Sequence, residues 1–304
     1  MLSAAPRQPH QKLLAVGALL LGALAIGSSA LFVKVSETAP VATAFWRVFL
    51  ALPFLWAWSV IGQGHRHRAS FAGERGLLIT AGLFFAGDLA FWHWSIILTS
   101  VANSTLLANL APIFVTLAAW LLFHKQLGMK FVIGLAIALT GMVVLIGGDF
   151  RLSTREIVGD GLGIVTAMFY AGYQLSVTRL RARIATSTLM AWSGLFTTIV
   201  LLPAAVIAGG QLLPVSGSGW IKLIALALIA QVAGQSLIAY AMAHLPATFS
   251  SVGLLFQPVA AAVLAWLLLG ESLGWLQIAA GVTVLIGIRI VHQAENPRRL
   301  VTRV

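Results

Sequence analysis

The chain contains no cysteine and only 8 acidic residues, and just 9% of its 304 positions are charged. Without cysteine there are no disulfides and no thiolate metal centres. Acids are also scarce where intramembrane chemistry would need them. Asp88 is the one acid inside an apolar run, so a paired-aspartate protease is excluded. His93 and Ser95 lie two apart on one segment and cannot converge as base and nucleophile. No His-Glu-x-x-His motif occurs, so the sequence reads as a protein without enzymatic activity, metal ion or cofactor. So few charges also rule out a sizeable soluble domain, because a water-exposed surface needs far more polar area.

What is present is apolar. Hydrophobic residues make up 60% of the chain, and they recur in runs of about 20, each able to cross a hydrocarbon core of ~30 Å. Ten spans are predicted, near 13–34, 40–61, 76–98, 101–123, 129–147, 160–180, 187–208, 219–243, 247–269 and 274–292. The expected fold is an all-α polytopic membrane protein.

The net charge of +11 follows from topology rather than from a nucleic-acid partner. With both termini on the cytoplasmic side, the inner segments carry 14 Lys and Arg and the outer ones carry 4, with Arg47 left inside the membrane. That bias is the positive-inside pattern of an inner (plasma) membrane protein with cytoplasmic N- and C-termini.

Two segments repeat each other. AAWLLFHKQLG at Ala118–Gly128 and LAWLLLGESLG at Leu264–Gly274 agree at six of eleven positions, yet Lys125 in one stands where Glu271 stands in the other. At the same offset of 146, Ser104 meets Ser250, Pro112 meets Pro258, Leu139 meets Leu285 and Gly141 meets Gly287. The two copies are five spans apart, an odd number, so they cross the membrane in opposite directions. The expected organisation is a first five-helix unit over 1–148 and a second, inverted one over 149–304. The loop is basic where it meets cytoplasm and acidic where it does not. Inverted repeats with interrupted helices near the midplane are a mark of secondary transporters. Pro112 and Pro258 lie near the centres of their spans, where proline breaks the helical bonding and gives them structural or gating roles. Asn109 and Gln257 stand beside those breaks and are candidates to line a cavity.

IGSSALFVK at Ile26–Lys34 with APVATAFWRVFLALPFL at Ala39–Leu55, and QPVAAAVLAWLLLGESLGWLQIAAGVTVLIGI at Gln257–Ile288, resemble the drug/metabolite transporter superfamily in its EamA-type branch. Within the branch the chain is similar to bacterial exporters of aromatic and other neutral amino acids. The resemblance implies ten helices in two inverted five-helix halves, a central cavity and alternating access. Lys125 departs from the family pattern, in which an acid is common at that place.

Further candidates come from the residues themselves. Intramembrane charges are costly and mark function or a buried pair. Arg47 and Asp88 could form a buried ion pair joining the second and third spans. Alternatively, Asp88 could meet a substrate ammonium or a coupling proton. Asp88, Trp92 and Ser95 share a helix face. Trp92 is a candidate substrate contact or a member of an interfacial tryptophan belt. Tyr170 and Gln174, and likewise Gln231 and Gln235, are four apart and could present phenol and amides to a polar solute or to neighbouring helices.

The expected function is export of small neutral or zwitterionic metabolites, most of all amino acids including aromatic ones. The alternative is a multidrug or cationic-compound exporter of the same fold. Expected partners are the small solute and membrane lipid, with a monomer as the simplest state. Phosphorylated solutes are disfavoured, because Arg47 is the only cation within the spans and a phosphate needs several.

Overall fold

In a computed structural model the described residues are 9–63, 66–147, 153–270 and 274–295. Among them every regular element is a helix. Nine helical units are long and apolar enough to cross a membrane. The remaining predicted span, the sixth, is the helix Thr154–Arg181, whose buried polar residues such as Thr166 and Gln174 dilute its hydropathy.

The first span is α1 (Pro9–Gly27) continued by α2 (Ser29–Lys34). The second is α3 (Pro40–Phe49) and α4 (Leu52–Gln63), broken where Pro53 lacks an N–H and crowds the Phe49 carbonyl. The third is α5 (Arg66–Leu98), bent at Glu74, where the backbone leaves helical geometry. The fourth comprises α6 (Val101–Ala108) and α7 (Ala111–Phe123), and the fifth is α8 (Met129–Ile146). The second half repeats the plan with α9 (Thr154–Arg181), α10 (Thr186–Ala208), and α11 (Gly217–Leu226) running through a π-helical stretch, Ala227–Gln235, into α12 (Ser236–Met242). It ends with α13 (Ala247–Gly253), α14 (Phe256–Leu269) and α15 (Trp275–Glu295).

The predicted helix interruptions are present. α6 stops at Ala108, whose carbonyl is the one the Pro112 ring would crowd, and α13 stops at Gly253 ahead of Pro258. Both long half-helices then end on a left-handed residue in matching places, His124 (φ 49°) and Gly270 (φ 67°).

Inverted symmetry is visible in the packing. The first span packs on the eighth as the sixth packs on the third. The fifth and tenth spans pack on each other through small residues. A side chain at Gly141 would strike Ala280 and Val284, and one at Gly287 would strike Ala138. On the outside, apolar side chains such as Leu21, Leu83 and Ile199 are exposed, as lipid contact requires. Trp58, Trp120, Trp266 and Trp275 are exposed near span ends, in agreement with an interfacial belt.

Candidate functional site

The broken spans surround an open cavity lined by side chains from both repeats. Six of the eight substrate candidates line it: Asp88, Trp92, Asn109, Tyr170, Gln235 and Gln257. Arg47 and Pro258 line it too. Pro112 does not; it sits in the first turn of α7 and sets the break that leaves Asn109 at the end of α6.

Arg47 is 5% exposed, yet no ion pair joins it to Asp88 among the described residues. The two groups attract each other across the cavity, and Arg47 Nε has no protein partner. The expectation of a direct buried pair is therefore not met in this conformation. The Arg47 and Asp88 side chains stand unjoined in one chamber. Around them, Gln257 Nε2 donates to Tyr170 Oη at 3.5 Å, Asn109 Nδ2 donates to the Thr105 carbonyl at 2.8 Å, and Gln235 Oε1 has no protein partner. Phe85, Leu89 and Trp92 give the apolar wall.

Gln174 and Gln231 are not brought to the lining. Both are about 1% exposed, and their amides lack protein partners. Gln174 lies one turn beyond Tyr170 towards the termini. Gln231 lies in the π-helical stretch, where four-residue spacing no longer guarantees a shared face. His93 is a packing residue, with Nδ1 2.6 Å from the Leu89 carbonyl. Ser29, Thr105 and Thr166 line the cavity and were only weakly signalled or missed in the sequence. Thr105 and Thr166 each stand four residues before a lining residue, Asn109 and Tyr170, so the signal extended away from the termini rather than towards them.

The cavity is off centre. Ile26, Gly27 and Ser29 in the last third of the first span and Thr105, Ala108 and Asn109 in the first third of the fourth line its end away from the chain termini, and Gln257 at the middle of the ninth and Gln235 in the later part of the eighth carry it to mid-membrane. The terminal half is sealed by bonds between the repeats. Lys125 Nζ is 2.6 Å from Glu295 Oε1 and 2.8 Å from Thr248 Oγ1, and Thr248 also donates to Glu295. Arg183 pairs with Glu74 at 2.9 Å, and within the second repeat Arg181 donates to the carbonyls of Ala239 and Ile184.

At the opposite face the repeats are joined differently. Glu37, in the turn before α3, accepts from the Ser216 hydroxyl and from the backbone N–H groups of Val215 and Ser216 at 3.0 and 3.1 Å. The Ser216 hydroxyl is the main reason that its carboxyl is held below the usual range. Trp46 Nε1 donates to the Leu212 carbonyl at 2.7 Å.

Known proteins share this plan. A solved crystal structure superposes with a TM-score of 0.77 at 18% identity, covering 95% of this chain and 98% of its own, which supports the fold. YdfC of Bacillus subtilis (strain 168), an uncharacterized transporter, is 25% identical over 70% of this chain and 72% of its own. A probable terminal-alkyne amino-acid exporter of Streptantibioticus cattleyicolor is 24% identical over 68% of this chain and 69% of its own. The sequence pattern of the EamA-like transporter family matches twice, at residues 13–147 and again at 157–292. A cavity between two inverted copies of one helical unit is what a carrier of small molecules requires, and the chain belongs to the EamA-like transporter family of the drug/metabolite transporter superfamily.

Proposed function

We propose that the chain exports small zwitterionic metabolites, amino acids foremost and aromatic ones among them, by alternating access through the central cavity. The observation that carries this reading is the unjoined pair, Arg47 and Asp88, facing one chamber. A guanidinium suits a carboxylate, and a carboxylate suits an ammonium. A solute bearing both groups satisfies the two at once, and Gln235 Oε1 offers the ammonium a further acceptor. Trp92 and Phe85 suit a large apolar side chain. The likeness to a probable amino-acid exporter points the same way. The Lys/Arg bias supports an inner-membrane location with cytoplasmic termini. In that orientation the cavity extends from mid-membrane towards the outer face, and the Lys125 bonds close the cytoplasmic side between the halves 1–148 and 149–304.

The test is flux in proteoliposomes with radiolabelled phenylalanine. Competition by phenylalanine, its methyl ester and its N-acetyl derivative separates the two charges, and a pH gradient shows whether protons are coupled. The zwitterion is expected to compete at least tenfold better than either derivative, and Asp88→Asn to lower kcat/KM at least tenfold. Transport of a lipophilic cation that depends on Asp88 and ignores Arg47→Gln would establish the multidrug alternative.

A further inference from the structure

The cavity lies in a seam between half-helices of the two repeats, α6 and α14. Thr105 and Asn109 face it from α6, and Gln257 and Ala261 face it from α14. At the offset of 146 the equivalents of α6 and α14 are α13 and α7. The equivalent residues are Ser251, Leu255, Ala111 and Val115. Because the repeats are inverted, this second seam lies on the side of the chain termini. There α13 packs on α7, and all four residues are 1% exposed or less. One seam is open, and its copy is shut.

Polar groups are held at the closed seam. Ser251 Oγ has no protein partner, and neither amide atom of Gln174 has one. Gln174 belongs to α9, which packs on both α7 and α13. It also continues a row at four-residue intervals. Thr166 and Tyr170 line the cavity, and Gln174 follows one turn nearer the termini. The polar face of α9 thus runs past the end of the cavity into closed packing. A buried polar group without a partner is costly, and an apolar side chain of similar size would avoid that cost. The cost is offset if another state of the carrier supplies the partner.

We propose that the α7–α13 seam opens towards the termini in the other state of the cycle, and that Gln174 and Ser251 then bind the solute as it enters. An amide carries donors and an acceptor, and a hydroxyl carries both as well. The pair can therefore hold either a carboxylate or an ammonium without bearing charge of its own. In the open seam Thr105 and Asn109 offer the same two groups from one helix. In the closed seam Leu255 stands where Asn109 stands, and Gln174 on the neighbouring helix supplies the amide instead. The proposal rests on the alternating-access reading above and is independent of which solute is carried.

Single cysteines are placed at Ser251, Gln174, Thr105 or Ser176 in the otherwise cysteine-free full chain. A membrane-impermeant maleimide is applied to right-side-out and to inverted membrane vesicles. Ser251→Cys and Gln174→Cys are expected to react at least tenfold faster from the face that bears the termini, and Thr105→Cys at least tenfold faster from the opposite face. Ser176→Cys, at nearly the same depth on the far side of α9, is expected to react from neither. Gln174→Leu should leave the melting temperature unchanged or raised, and should lower the flux of radiolabelled phenylalanine at least fivefold through a higher KM on the terminal side. The proposal is overturned if Ser251→Cys and Gln174→Cys stay unlabelled while Thr105→Cys reacts, if they label no faster than Ser176→Cys, or if Gln174→Leu lowers the melting temperature. A chain that labels as expected but carries no phenylalanine would support the seam and remove the amino-acid reading alone, since labelling needs no solute.

Discussion

Lys125, Thr248 and Glu295 form one tie between the repeats, and at the offset of 146 their counterparts are Glu271, Ala102 and Asp149. The first set places an ammonium between a hydroxyl and a carboxylate. The second offers two acids and a methyl group, and two carboxylates brought together repel. Glu271 and Asp149 lie outside the described residues, but their charges forbid a copy of the tie. The opposite face is held by Glu37 on a hydroxyl and two backbone N–H groups, and by the Trp46 indole. The inverted repeat thus duplicates the scaffold but not the bonds that close its ends. An acid in place of Lys125 would face Glu295 here.

That contrast breaks most sharply with Lys125→Glu, which gives the terminal face the acids of the other. A charged hydrogen-bonded partner is worth about 2 kcal/mol, which corresponds to roughly a thirtyfold shift in a conformational ratio. The chain has no thiol of its own, so a cysteine introduced at the buried Ser251 reports that shift by its labelling rate. The rate should rise about thirtyfold, and adding Glu295→Lys should restore it; unchanged labelling would mean that the tie does not hold the face. For the opposite face, Glu37→Gln keeps the shape and removes the charge. The carboxyl of Glu37 is lowered in the folded protein, so its contribution is present above the usual carboxylate range and is lost as pH falls through the lowered value. Wild-type melting should therefore decline in acid more steeply than that of Glu37→Gln, and parallel curves would remove Glu37 from the account. His124→Gly copies Gly270 into the first repeat and relieves a left-handed side chain; about 1 kcal/mol of stabilisation is expected in denaturation. Arg183→Gln removes a pair whose arginine is 67% exposed, and should cost less than ~1 kcal/mol by the same measurement.

Much of this was readable before any coordinates. Run length located the spans, and proline positions located the breaks, because both follow from local backbone chemistry. Arg47 and Asp88 stood out because charge inside an apolar run is rare. Their separation was not readable, since it depends on the rotation of α3 against α5. The failure at Gln231 has a similar origin. Its pattern assumes α-helical spacing, and the stretch around it, packed against α1, is π-helical. Lys125 was explicable as a topology signal alone, and its partners became visible only when the end of α15 was placed beside α13.

The third and sixth spans interlock. The Phe84 ring occupies the space above Gly172, within 2.6 Å of where a side chain there would start, and Phe169 does the same above Gly87. The two rings also meet edge to face, 5.9 Å apart. Like two meshed gears, neither helix can slide past the other without lifting a ring out of its notch, and dense packing resists that. Yet α5 belongs to one copy of the unit and α9 to the other. A movement that keeps this interlock therefore carries α5 and α9 together, across the boundary between the two copies.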